Sequence, residues 1–143
     1  MVRGRVCVML LVSLVVSLGS CIAPQSSYMR CIKGREWKQS VEVRYPNSDT
    51  LSLRRLSIAM RYNSKFKADT LAVVVRITAP DGRWFEEPVV LHLSRPYTSA
   101  SVASVESVLY RVDNRLLQYG DYTFSITPLV AVEGVEAVGV EIE

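Results

Sequence analysis

Leu71-Ala72-Val73-Val74-Val75-Arg76-Ile77-Thr78, followed by Ala79-Pro80-Asp81-Gly82, is the stretch on which the fold turns. Leu71, Val73, Val75 and Ile77 alternate with Ala72, Val74, Arg76 and Thr78, the period of two that sends successive side chains to opposite faces of a strand. Pro80 presets φ, Asp81 favours a side-chain turn and Gly82 accepts positive φ, so the triplet predicts a hairpin turn. The same period recurs on both sides. Upstream, Val41, Val43 and Tyr45 alternate with Glu42 and Arg44, and Leu56, Ile58, Met60 and Tyr62 with Arg55, Ser57, Ala59 and Arg61. Downstream come runs on Val89-Leu91-Leu93, Val108-Tyr110-Val112, Tyr122-Phe124-Ile126 and Val138-Val140-Ile142. Turn residues separate them at Pro46 to Asp49, Arg95-Pro96 and Gln118 to Asp121, residues 97 to 105 read as a Ser-rich loop, and Asn114 to Tyr119 has room for one helical turn. Short strands with one apolar face each and no βαβ alternation must bury those faces against one another. The expected fold is therefore all-β, an antiparallel β-sandwich of about seven to eight strands, Ig-like or jelly-roll-like, over residues 37–143.

The 143 residues are 49% hydrophobic and 22% charged, which suits one globular domain and excludes a disordered chain. The formal charge of +3 includes Arg3 and Arg5, which precede a long apolar run; without them 15 basic residues face 14 acidic ones. So balanced a chain is not a nucleic-acid binder by charge.

The first twenty residues are not part of that domain. Behind Arg3 and Arg5, Val6 to Leu18 is apolar except for Ser13 and Ser17. This is the form of an export signal, and about thirteen residues at ~1.5 Å each fall short of a ~30 Å hydrocarbon core. Leu18-Gly19-Ser20-Cys21 resembles the bacterial lipobox, in which an apolar and two small residues precede the cysteine that becomes the acylated first residue. That resemblance implies a signal peptide over 1–20 and lipid on Cys21; the other reading is an ordinary cysteine beyond a signal-peptidase I site. Two or three acyl chains, at ~0.8 kcal/mol per buried methylene, hold a protein on a membrane effectively irreversibly. With Cys7 removed and Cys21 acylated, Cys31 alone remains and no internal disulfide can form. Residues 21–36, with Pro24, Gln25, Ser26, Lys33 and Gly34 and no apolar period, read as the acylated terminus and a flexible tether.

Taken in order, the lipobox Cys21, Trp37, Leu56 to Asn63, Phe66, Asp69 to Val73, Pro80-Asp81-Gly82, Tyr110-Arg111, Gly120 to Ile126 and Val135 to Ile142 resemble the GldH family of gliding-motility-associated lipoproteins of the Bacteroidetes. The likeness spans nearly the whole chain after the signal. It implies a non-enzymatic outer-membrane lipoprotein that meets other envelope proteins of a motility or secretion assembly. No acidic run follows Cys21, which by the same resemblance favours a periplasm-facing position.

Read for chemistry, the chain offers little. His92 is the only histidine and falls on the polar side of a strand, and no nucleophile elbow, metal-ligand helix or phosphate loop is present. No cofactor, metal or small-molecule substrate is expected. Glu86 and Glu87 beside Trp84 and Phe85 suggest a carbohydrate site, but neighbours on a strand diverge, and a hairpin arm with one buried aromatic is the plainer reading. Trp37 is expected to pack over the open end of the sandwich or to contact a partner. Arg54, Arg55, Arg61, Lys65 and Lys67 form a positive patch or a merely solvated face, with Arg55 and Arg61 the candidate contacts. Glu133, Glu136, Glu141 and Glu143 give the C-terminus the opposite sign. The alternative function is a glycan-binding module on a lipid tether, which needs a contiguous exposed aromatic platform.

Overall fold

A computed structural model describes residues 27–94 and 103–143. The expected signal peptide, Cys21 and most of the loop from 97 to 105 lie outside the described residues.

The chain is all-β. Ten strands run in the order β1 (Ser27–Cys31), β2 (Glu36–Trp37), β3 (Val41–Asn47), β4 (Arg54–Tyr62), β5 (Thr70–Thr78), β6 (Trp84–His92), β7 (Ser104–Asn114), β8 (Gly120–Pro128), β9 (Val132–Glu133) and β10 (Val135–Ile142). Two four-stranded antiparallel sheets, β1-β10-β4-β7 and β3-β8-β5-β6, face each other, with a small β2-β9 ladder beside them. Leaving out the two-residue strands, the remaining eight are ordered 1-8-3-6 in one sheet and 2-7-4-5 in the other. That is a jelly roll, which decides between the two sandwich types the periodicity allows.

The alternating residues do what their period predicts. Leu56, Ile58 and Met60 pair with Ile142, Val140 and Val138 on one inner face, and Val73, Val75, Phe124 and Ile126 line the other. All are nearly or fully buried. The Pro80-Asp81-Gly82 turn closes with Ala79 N–H on Arg83 O at 2.8 Å and Gly82 N–H on Ala79 O at 2.9 Å, with Gly82 at φ +85°.

The segment 21–36 is not all tether. Ser27–Cys31 pairs with β10, Tyr28 packs edge-on against Tyr45 at 5.4 Å, and Trp37 pairs with Val132. The stretch lacks a readable period because β1 is a half-exposed edge strand, so only its contacts reveal it. Cys31 is an exposed thiol on that strand. Residues 115–119 form an irregular loop, not a helical turn, in which Leu116 turns inward and is buried.

Candidate functional site

Trp37 is 1% exposed, and its indole N–H donates to the Gln39 carbonyl at 2.8 Å. Its ring packs in the core at the end of the sandwich near β9, as the packing alternative had it, and presents no face to a partner. Arg55 and Arg61 lie toward opposite ends of β4. Arg61 pairs with Glu136 at 2.9 Å, Arg55 with Glu143 at 4.0 Å, and Lys65, just beyond β4, with Glu133 at 4.0 Å. The basic group and the acidic C-terminal group therefore meet, because β10 lies beside β4. These exposed pairs contribute at most about 1 kcal/mol each and leave no strong positive patch along β4.

Where β6 and β7 end their sheets on the same side, a polar clasp joins them. The Tyr110 hydroxyl donates to Glu87 Oε1 at 2.5 Å, and Arg111 Nη2 donates to the same oxygen at 2.6 Å. Neighbours on a regular strand would diverge. Here Leu56 pairs with Arg111 and Ser57 with Leu109, so Tyr110 is the extra residue of a β-bulge and both side chains reach Glu87. Farther along, Glu106 of β7 accepts from Ser94 N–H and Oγ, at 2.5 and 2.7 Å, and from the Tyr62 hydroxyl at 3.0 Å.

The hydrogen bonds from Tyr110 and then Arg111 hold the Glu87 carboxyl below its usual range, while burial, followed by the bond to Glu87, pushes the Tyr110 phenol up to about 12. An ionised carboxylate engaged by two donors is a poor base, and a phenol held protonated is a poor nucleophile. The cluster works as a tie between sheets. Because Tyr110 is raised above the ordinary ~10, the stability it contributes is present below that value and lost as pH rises toward 12. A tyrosinate absorbance titration is expected to include an ionisation near pH 12 that Tyr110→Phe removes. A titration unchanged by that substitution would contradict the clasp.

Beyond the clasp opens a cleft of about 500 Å³ between the β5–β6 turn and the β7–β8 loop, lined among others by Trp84, Phe85, Arg111, Arg115, Leu117 and Tyr122. Both aromatics are exposed, Trp84 at 61% and Phe85 about half, so the expected single buried ring is absent. Phe85 lies near the turn, where the facing sheet supplies the Arg111 guanidinium at 4.8 Å from the ring instead of an apolar side chain. Trp84 carries Arg76 at 4.6 Å. Glu86 and Glu87 diverge as expected, Glu86 to Arg76 at 2.6 Å on the outer face and Glu87 into the clasp. Trp84 and Phe85 diverge with them and form no continuous platform.

The four sheet edges are β1, β3, β6 and β7. Pro46 interrupts β3 and Pro88 interrupts β6, the usual protection of an edge. β7 is different. It runs for 11 residues without proline, and no described strand pairs with its outer edge. Val105, Leu109 and Val112 are each more than half exposed along it. Across β4 and β10 the small residues Ser57, Ala59, Ala137 and Gly139 on the same side are buried, between the Arg61–Glu136 and Arg55–Glu143 pairs. No protein-family model matches the chain, and no curated protein matches it.

Proposed function

We propose that this is a non-catalytic outer-membrane lipoprotein of the GldH-like kind, anchored through acylated Cys21 and facing the periplasm. Its jelly roll serves as an interaction component of a motility- or secretion-associated envelope assembly. The observation that carries the reading is β7, a long proline-free edge with Val105, Leu109 and Val112 exposed. An edge that no described strand pairs, bearing exposed apolar side chains, is what a partner strand takes up in β-augmentation.

A photoreactive residue at Leu109 in living cells tests it. The expected result is a discrete adduct with an envelope protein, about tenfold weaker when Val105→Lys is added, which is ~1.4 kcal/mol of binding. The same probe at Thr123, on the outer face of the other sheet, gives none. Adducts at Thr123 and none at Leu109 would contradict the reading.

A glycan-binding module is the second reading; it lacks the contiguous aromatic platform it needs and rests on exposed Trp84 alone, at the mouth of the cleft. Retention on a glycan array that Trp84→Ala abolishes would support it.

A further inference from the structure

The strand registers place the entry of the chain into the fold near one particular end. Ser27 pairs with Glu141, Glu141 with Ser57 and Ser57 with Leu109. β4 extends only three residues past Ser57 in that direction, to Arg54, about 10 Å at ~3.3 Å per residue. The same end holds the β3–β4 loop, the β5–β6 turn and the β7–β8 loop, since Asn47 pairs with Gly120 and Thr78 with both Trp84 and Thr123. From Cys21 to Ser27 is six Cα steps, at most about 20 Å when fully extended. An acyl group on Cys21 therefore keeps this end close to the lipid headgroups.

The three loops form one surface. Buried Asn47 donates to the carbonyls of Leu116 at 3.1 Å and Gln118 at 2.8 Å. The Gln118 side chain exchanges two hydrogen bonds with Asp81, at 2.9 and 3.2 Å. Asp49 Oδ1 accepts the N–H groups of Leu51 at 2.9 Å and Ser52 at 3.1 Å, which fixes the turn that carries Leu51. On this braced end Leu51, Leu53, Trp84, Leu117 and Tyr119 are each more than half exposed, Leu51 to 78%. At the opposite end the described connections expose Leu129 and Val130.

Single exposed apolar residues are ordinary, whereas four on two braced loops, with Trp84 at the adjoining start of β6, are not scattered. Two arginines between them are neutralised, Arg54 by Asp49 at 3.3 Å and Arg83 by Asp81 at 2.6 Å. Leucine tips with a Trp and a Tyr, flanked by paired charges, suit the boundary between headgroups and acyl chains.

We propose that this loop end is a membrane-contacting tip, with Leu51, Leu53, Leu117 and Tyr119 seated in the interfacial region of the bilayer and Trp84 at its rim. The inference rests on the anchoring of Cys21 for its orientation. It leaves the β7 edge standing sideways from the membrane, open to a protein.

The mature acylated chain, reconstituted in vesicles of phosphatidylethanolamine and phosphatidylglycerol, tests it through Trp84, because Trp37 is buried and serves as an internal reference. Brominated lipids are expected to quench a component of the emission that Trp84→Phe removes, and Leu117→Ser with Tyr119→Ser is expected to reduce that quenching at least about fivefold. Circular dichroism of each variant shows whether the fold is kept; a variant that unfolds is replaced by Leu51→Ser with Leu53→Ser. A protein shown by mass spectrometry to be acylated, yet quenched at Trp84 by aqueous iodide alone, overturns the tip and leaves the anchor. A protein found unacylated overturns the anchor, and sedimentation of that same protein with the vesicles then decides the tip. Pelleting at excess lipid without any wash, lost in the Leu51 and Leu117 serine variants, supports it, and no pelleting there overturns it. Cross-links from Leu117 to an envelope protein without lipid quenching assign this end to a protein partner instead and also overturn it.

Discussion

Gly139→Ala is expected to strip β1 from the sheet and to lower the folding free energy by about 3 kcal/mol. Gly139 pairs with Met29 on one side and Ala59 on the other, and a Cβ built there would lie 1.8 Å from the Tyr28 carbonyl oxygen and 2.6 Å from Met29 Cα. Both obstacles are backbone atoms, so no rotamer change relieves the overlap. The strand must move. With it go the ladder from Ser27 to Cys31 and the contact of Tyr28 with Tyr45. Chemical denaturation measures the loss, and tryptic cleavage after Arg30 in the otherwise folded protein reports the freed strand. Gly82→Ala is the control, because nothing lies within 4 Å of its added Cβ and only the φ of +85° opposes it; about 1 kcal/mol is expected there. A Gly139→Ala protein as stable as the parent, with Arg30 still protected, would contradict the pairing. In the proposed anchored form, a detached β1 would also lengthen the tether and release the loop end.

Cys21→Ser is expected to convert a fully membrane-retained protein into one released from the membrane fraction. In the proposed anchoring the thiol is the acceptor of the diacylglyceryl group, so without it the chain carries no lipid once its apolar signal has been removed. Tip contacts alone are too few to hold the protein through washing, since even one myristoyl chain gives only marginal binding. Fractionation after an alkaline wash, with detergent phase partitioning beside it, reads the outcome. Unchanged retention in both, of a chain from which the signal has been cleaved, would defeat the anchor.

Much of the scaffold was legible in the sequence. Seven of the eight long strands carry a period of two strong enough to read from the residues alone, and Pro80-Asp81-Gly82 marks its hairpin by turn chemistry. What escaped depends on contacts between distant segments. β1 has no alternation because it is half-exposed at an edge, and its apolar Tyr28 matters only once Tyr45 is beside it. Strand order distinguishes a jelly roll from an Ig sandwich, and no local pattern encodes order.

The surface was read less well, for related reasons. The clasp was hidden because the bulge at Tyr110 breaks the rule that neighbours diverge, and nothing in Tyr110-Arg111 signals an extra residue. Arg61 and Glu136 are 75 residues apart in sequence, so their cancellation appears only when β10 is laid against β4. Trp37 follows the ordinary expectation for a large aromatic near a strand and is buried. Trp84 and Phe85 do not: Phe85 stands at the end of the sandwich where the facing strand supplies Arg111, and Trp84 points to the outer face beside Arg76.

Mass spectrometry of the amino-terminal peptide of protein extracted from its native membrane tests the central claim most directly. A chain that begins at residue 21, with a diacylglyceryl thioether on Cys21, is the predicted result. An unmodified amino terminus at any position beyond Cys21 would contradict it.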